Sequence, residues 1–154
     1  MPLYESEDAI HRIGLGVLDR TLPKKEWTHA AHFAAALWLM RRRPLINLVA
    51  EMPGLIRAYN EATGVANTDT DGYHETITQA SLRAARAVLD GHAADAPIHS
   101  VLAALMAGEL GRSGCPLAYW SKSLLFSVEA RRRWVEPDVA PLPFAPLKSP
   151  AESE

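Results

Sequence analysis

Apolar side chains recur at three- and four-residue spacing in four successive segments of this 154-residue chain. That spacing places them on one face of an α-helix, whereas no segment shows the bounded alternation of β-branched and aromatic residues that is typical of strands. The pattern therefore predicts an all-α fold, with four principal helices in an up-down bundle, short C-terminal helices and an extended proline-rich tail. The four segments end at Leu22-Pro23, Arg43-Pro44, Gly64 and Gly91.

Polar residues and prolines mark where individual helices begin. Ser6, Asp71 and Ser127 each precede an apolar segment and are predicted N-caps, because their side-chain oxygens can accept a bond from a first-turn N–H group. Pro97 is expected to open a fifth helix. Inside the third segment, Pro53-Gly54 removes a backbone donor and is expected to kink or split the helix.

The C-terminal part of the chain is rich in proline. Five of the eleven prolines lie from Pro137 onward, which predicts an extended segment. We expect residues 1–148 to form one helical domain and the polar residues 149–154 to be disordered. The residues expected to pin the extended segment to the helices are Trp134, Val135, Leu142 and Phe144.

Charge and cysteine content argue against several classes of partner. Sixteen basic and eighteen acidic side chains give a net charge of -2, which provides no general attraction to nucleic acid or to an anionic membrane. The most apolar stretch, residues 30–40, is well short of the roughly 20 residues of a membrane span, and the acidic start does not resemble an export signal. Cys115 is the only cysteine, so an intrachain disulfide is excluded. These features predict a cytoplasmic protein that binds neither nucleic acid nor membrane.

Three histidines form the clearest candidate site. His29 and His32 are three residues apart, so their Cβ atoms should lie about 5–6 Å apart on one helical face, and both imidazoles can reach one ion. His74 is the third candidate ligand, because an up-down order brings the starts of the second and fourth helices to the same end. Neutral imidazoles favour zinc, iron or nickel over calcium or magnesium. The sequence therefore predicts a transition-metal site at these three residues.

Neighbouring residues are expected to complete the pocket. On a regular helix the side chain of Glu75 diverges by about 100° from that of His74, so Glu75 should accept hydrogen bonds at the helix start, orient a histidine or act as base for a bound water. Under the alternative interpretation, the histidines are core residues that hydrogen-bond to backbone carbonyls. The residues predicted to line the ligand pocket are Trp27, Tyr73, Glu75 and Thr78.

Three sequence blocks carry a resemblance to a known family. They are W-T-H-A-A-H at 27–32, G-Y-H-E-T-I-T at 72–78, and S-K-S-L-L-F-S-V-E-A-R with W-V-E-P-D at 121–138. With these blocks the chain resembles a family of uncharacterised bacterial all-helical proteins, over most of its length. The resemblance implies a helical fold, and it implies no catalytic roles because that family has no assigned activity.

These observations lead to one principal functional hypothesis and two alternatives. The principal hypothesis is a small soluble helical protein whose histidine-lined pocket holds a transition metal and supports hydrolysis or group transfer, since a bound ion lowers the pKa of water toward 7. The first alternative is a non-enzymatic helical module that binds a small-molecule ligand or a protein partner. The second is a structural homodimer.

Overall fold

Helices make up the regular structure of residues 4–148, the part of the chain described by this computed structural model. No strand occurs in that part, which confirms the all-α prediction. Residues 149–154, predicted to be disordered, lie outside it. The α-helices are α1 (Glu7–Leu18), α2 (His29–Arg42), α3 (Leu48–Ala62), α4 (Glu75–Asp90), α5 (Ile98–Ala107), α6 (Lys122–Leu125) and α7 (Val128–Arg132), with short 3-10 helices at Lys24–Glu26, Glu109–Gly111 and Cys115–Ala118.

Two of the three predicted N-caps are confirmed. Ser6 accepts a hydrogen bond from the backbone N–H of the third residue of α1, and Ser127 does the same for α7. The prediction for Asp71 is wrong, because its backbone belongs to a turn closed by Thr68. His74 caps α4 instead, through a hydrogen bond from the Ile77 N–H to its Nδ1.

Pro53 does not split α3, which continues from Leu48 to Ala62. In an uninterrupted helix the N–H at position 53 would donate to the carbonyl of Val49. The side chain of Gln79, which reaches across from α4, donates to that carbonyl instead, with Nε2 3.2 Å from the oxygen. A buried amide on a neighbouring helix therefore replaces the donor that proline lacks.

α2 is the central helix of the fold. It is buried on nearly all sides, and α1, α4 and α5 all pack against it, while α3 packs against α1 and α4. Alanines at positions 31, 34 and 35 are fully buried and allow neighbouring helices to approach closely. Five helices of the described chain have ten residues or more, and α5 begins directly after Pro97, as predicted. The four-helix up-down arrangement is not confirmed. Among the described residues, no helix is long and apolar enough to cross a membrane.

A second, smaller hydrophobic cluster lies on the other face of α4. Its buried members are Ala80, Trp120 and Leu125, and the indole N–H of Trp120 donates to the backbone carbonyl of Val135. Trp134, Val135 and Leu142 pack against this cluster, as expected for anchors of the C-terminal segment. α4 thus separates the main core from a C-terminal layer.

Candidate functional site

A pocket of about 210 Å³ lies between the start of α2, one face of α4, the chain after α5 and the C-terminal segment. α4 contributes the small residues Ala80, Ser81 and Ala84, which leave space between the two helices. Leu142 and Phe144 of the C-terminal segment form another wall. The volume equals about seven waters at roughly 30 Å³ each, so the pocket suits a small molecule.

His29, the first residue of α2, contributes a half-buried imidazole to this pocket. Its Nε2 lies 2.9 Å from the backbone oxygen of Leu110, and its ring packs edge-on against Phe33. Because a carbonyl oxygen can only accept, Nε2 carries the proton in the neutral ring, and Nδ1 is then the acceptor nitrogen. No residue of the described chain bonds that Nδ1.

His32 lines the same pocket one helical turn later. Its Nδ1 donates to the backbone oxygen of Thr28 at 2.6 Å, and its ring stacks on Trp27 with 3.7 Å between ring centroids. Burial lowers the pKa of His32, with a smaller contribution from the nearby His29, so the ring is neutral at pH 7. Within residues 4–148, Nε2 has no hydrogen-bond partner and offers a lone pair.

His74 lies outside the lining of this pocket, and both of its ring nitrogens are occupied. Nδ1 accepts from the Ile77 N–H at 3.2 Å, and Nε2 donates to the Leu125 carbonyl at 2.7 Å. As an N-cap, His74 has an extended backbone, with φ -131° and ψ 111°, rather than the helical one that would continue the stripe of Ile77 and Ser81. Burial lowers its pKa, and the Arg131 guanidinium adds to this effect.

The residues predicted to line the ligand pocket lie elsewhere. Trp27 covers the outer face of the His32 ring. The hydroxyl of buried Tyr73 donates to Glu75 at 2.5 Å, and Gln79 donates to the other carboxylate oxygen at 3.2 Å. Burial, followed by the bond to Glu75, raises the pKa of Tyr73, while Thr78 lies close enough to bond its hydroxyl. Tyr73 belongs to the main core and Trp27 packs against it, and none of the four predicted residues lines the pocket.

The structure does not assemble the predicted three-ligand metal site. Among the described residues, no group of three histidine, cysteine or acidic side chains could hold a metal ion. His29 and His32 are brought together, whereas both nitrogens of His74 bond to the backbone. Each of the three rings bonds a backbone carbonyl, as the alternative interpretation of the histidines expects.

Other polar side chains complete the pocket, and sequence reasoning did not place them there. Burial raises the pKa of the Cys115 thiol, and Glu109 raises it further. The same two causes, in the same order, raise the pKa of Tyr119. Both groups are therefore neutral at pH 7, which leaves little thiolate for nucleophilic chemistry. Arg112 contributes an exposed guanidinium at the rim.

The second and third of the sequence blocks, at 72–78 and 121–138, hydrogen-bond to each other. Thr76 donates to the Arg133 carbonyl at 2.9 Å and accepts from the Val135 N–H at 3.3 Å. Asp138 accepts from the backbone and hydroxyl of Ser121, at 2.7 Å in each case. The second and third blocks thus hold the C-terminal layer against the start of α4, a structural role that accounts for their polar residues.

A larger groove of about 540 Å³ lies between the start of α3 and the later turns of α4. Two of its arginines have partners, because Arg86 pairs with Asp90 and Arg83 lies 4.0 Å over the ring of Trp134. The groove therefore has fewer polar groups available for a ligand than its size suggests, and the pocket beside α2 is the better candidate.

Fold and site together define an all-helical protein with a small, mostly apolar pocket that has two imidazoles in its wall. No protein-family model, curated protein or solved structure matches the chain. What can be inferred about function therefore depends on the geometry of the pocket.

Proposed function

We propose that this protein is a helical module that binds a small, largely apolar molecule in the pocket between α2 and α4. The observation that carries the proposal is the pocket itself, about 210 Å³ of space lined largely by aliphatic and aromatic side chains. Helical interiors are normally close-packed, with few voids larger than a water molecule. A space of this size forfeits packing contacts, which a ligand of matching shape would restore.

The surroundings of the pocket support binding rather than a packing defect. Ala80 and Ala84 are buried residues of the continuous helix α4, and none of the buried side-chain polar atoms of the described residues lacks a hydrogen-bond partner. Apolar cavities of about 150 Å³ are known to hold a molecule the size of benzene. The pocket is large enough for a single ring with one or two substituents.

The geometry favours this proposal over metal-supported hydrolysis or group transfer. Only two of the three predicted ligands line the pocket, and the third, His74, holds α4 and α6 together through its two ring nitrogens. The thiol of Cys115 has a raised pKa, so it is a poor nucleophile at neutral pH. The pocket is thus better equipped to hold a molecule than to transform one.

A pocket-filling substitution tests the proposal. Ser81→Leu places a branched side chain into the pocket, and Ser81 makes no hydrogen bond within the described part of the chain that would be lost. Toluene is titrated into nitrogen-15-labelled protein. It is expected to shift the backbone amide signals of residues 81 and 84 in the wild type but not in Ser81→Leu. Ala87→Leu, the matched control on an exposed position of α4, should bind toluene like the wild type. Toluene that fails to bind, or that binds equally well to Ser81→Leu, would overturn the proposal.

A further inference from the structure

We infer that the ligand of this pocket is a neutral molecule that donates a hydrogen bond, such as an aromatic alcohol or amine, to the lone pairs of His29 Nδ1 and His32 Nε2. This inference rests on the proposed function, and it specifies the chemical class of the ligand. An apolar body would fill the space beside α4, and a hydroxyl or N–H group would face the first turn of α2.

The backbone determines which nitrogen of each ring is an acceptor. The Leu110 carbonyl takes the proton of His29 Nε2, and the Thr28 carbonyl takes that of His32 Nδ1, because neither oxygen can donate. In the neutral rings, the remaining nitrogens can therefore only accept. Both tautomers follow from contacts inside the protein and do not depend on a ligand.

Both acceptors belong to side chains in the first turn of α2 that line the same pocket. His29 and His32 occupy the first turn of α2 at a separation of three residues, which places their Cβ atoms about 5–6 Å apart on one face. The ring of His32 cannot swing freely, because one face is stacked on Trp27 and one nitrogen is bonded to its own helix start. A preorganised pair of acceptors binds a donor with little loss of side-chain entropy.

An anionic ligand fits this arrangement poorly. A carboxylate placed at α2 would face two lone pairs, and burying it without donors would be strongly unfavourable. The guanidinium of Arg112 is at the exposed rim, where water screens its charge. A neutral donor satisfies the two imidazoles without that penalty.

Histidine nitrogen spectra of the wild-type protein test the inference directly. Phenol and toluene share a ring, but only phenol donates a hydrogen bond, and both are titrated into nitrogen-15-labelled protein at slightly alkaline pH. The free protein is expected to show His29 protonated at Nε2 and His32 at Nδ1. Phenol should then shift the unprotonated nitrogen of at least one of the two rings, whereas toluene should not.

The outcomes separate this inference from the function it rests on. If both compounds shift the amide signals of α4 and phenol leaves the histidine nitrogens unchanged, the pocket binds small apolar molecules as proposed. The inference that its ligand donates a hydrogen bond to the imidazoles is then wrong. The opposite tautomer in both rings would also overturn the inference. If neither compound binds, the proposed function fails as well.

A matched pair of variants gives a second measurement. His32→Leu is expected to lower the affinity for phenol relative to toluene about three- to tenfold, the usual contribution of one neutral hydrogen bond. In His92→Leu the ratio should be unchanged. His92 is the matched control because its Nδ1 also bonds the carbonyl four residues earlier, at 2.8 Å, and it lies outside the pocket. An equal change of the ratio in both variants would contradict the inference.

Discussion

The starts of α2 and α4 both carry histidines, yet the hydrogen bonds of these histidines differ between the two helices. At α4, His74 has both ring nitrogens bonded to backbone groups, one in its own helix and one in α6. At α2, His29 and His32 each bond one carbonyl through one nitrogen. His74 therefore links two helices through its ring, whereas His29 and His32 each keep one ring nitrogen without a partner among the described residues.

The surroundings of the two sites differ in the same sense. The start of α4 is covered by the C-terminal layer, where Thr76 is fully buried and bonds two backbone groups, and Arg131 donates to the carbonyls of Gly72 and Tyr73. The start of α2 borders empty space instead. Removing a polar group should therefore reduce stability at α4 and ligand binding at α2.

The largest expected effect is at His74. His74→Ala removes the cap of α4 and leaves the Leu125 carbonyl without its donor, so the free energy of unfolding should fall by about 2–4 kcal/mol in chemical denaturation. His74→Asn keeps a capping oxygen and should recover about 1 kcal/mol of this loss. Wild-type stability in His74→Ala would remove the distinction between the two helix starts.

A second effect concerns the polar network beside the start of α4. Gln79→Leu leaves the Val49 carbonyl without the donor that replaces the missing N–H of Pro53, and the free energy of unfolding should fall by about 1–2 kcal/mol. In a Pro53→Ala background the N–H of residue 53 can donate to the Val49 carbonyl. Gln79→Leu should then lower the free energy of unfolding by a smaller amount. Equal losses in both backgrounds would contradict the pairing of Gln79 with Pro53.

The pH dependence of stability should also follow His74. Its pKa is lower in the folded protein than the ordinary value of about 6.5, so the unfolded chain binds more protons as pH falls. The stabilisation is therefore complete above about pH 6.5 and is lost as pH drops toward the folded-state pKa. We expect the free energy of unfolding to decrease as the pH falls below about 6.5, and His32, whose pKa is also lowered by burial, should add to this loss.

Denaturation of His74→Gln at several pH values measures this contribution. Glutamine cannot titrate, so the variant should lose less stability than the wild type on acidification. If His74→Gln lost as much stability on acidification as the wild type, titratable groups other than His74 would be responsible for the pH dependence.

The smallest expected effect on stability is at His32. His32→Leu removes a bond to the Thr28 carbonyl at the exposed end of α2, so the free energy of unfolding should change by less than about 1 kcal/mol. Circular dichroism during urea denaturation measures this change. A loss as large as that of His74→Ala would mean that His32 also serves the fold.

Local features of the sequence allowed much of the helical structure to be predicted. Ser6 and Ser127 cap helices because capping depends on a side chain and an N–H only three residues away. The neighbourhood of His29 and His32 was predictable for the same reason, since one helix places both. The prediction that Asp71 caps the fourth helix was wrong because Asp71 lies in a turn closed by Thr68, before α4 begins.

Long-range contacts made the rest of the site unpredictable. The ring of His74 is held by Leu125, 51 residues later in the chain, and nothing near His74 signals that partner. Ser81, Cys115 and Phe144 meet at one pocket from three separate parts of the chain. Periodicity identifies the face of a helix, but it does not identify which distant segment packs against that face.

The sequence by itself determined that this chain is helical and where most of its helices begin and end, because spacing, caps and prolines act within a few residues. Only the tertiary structure decided that α2 is the central helix and that Gln79 supplies the donor missing at Pro53. It also decided which histidine nitrogens remain free, because a hydrogen-bond partner such as the Leu110 carbonyl reaches His29 only when distant segments pack together. The chemistry of the pocket is therefore a property of packing rather than of any motif.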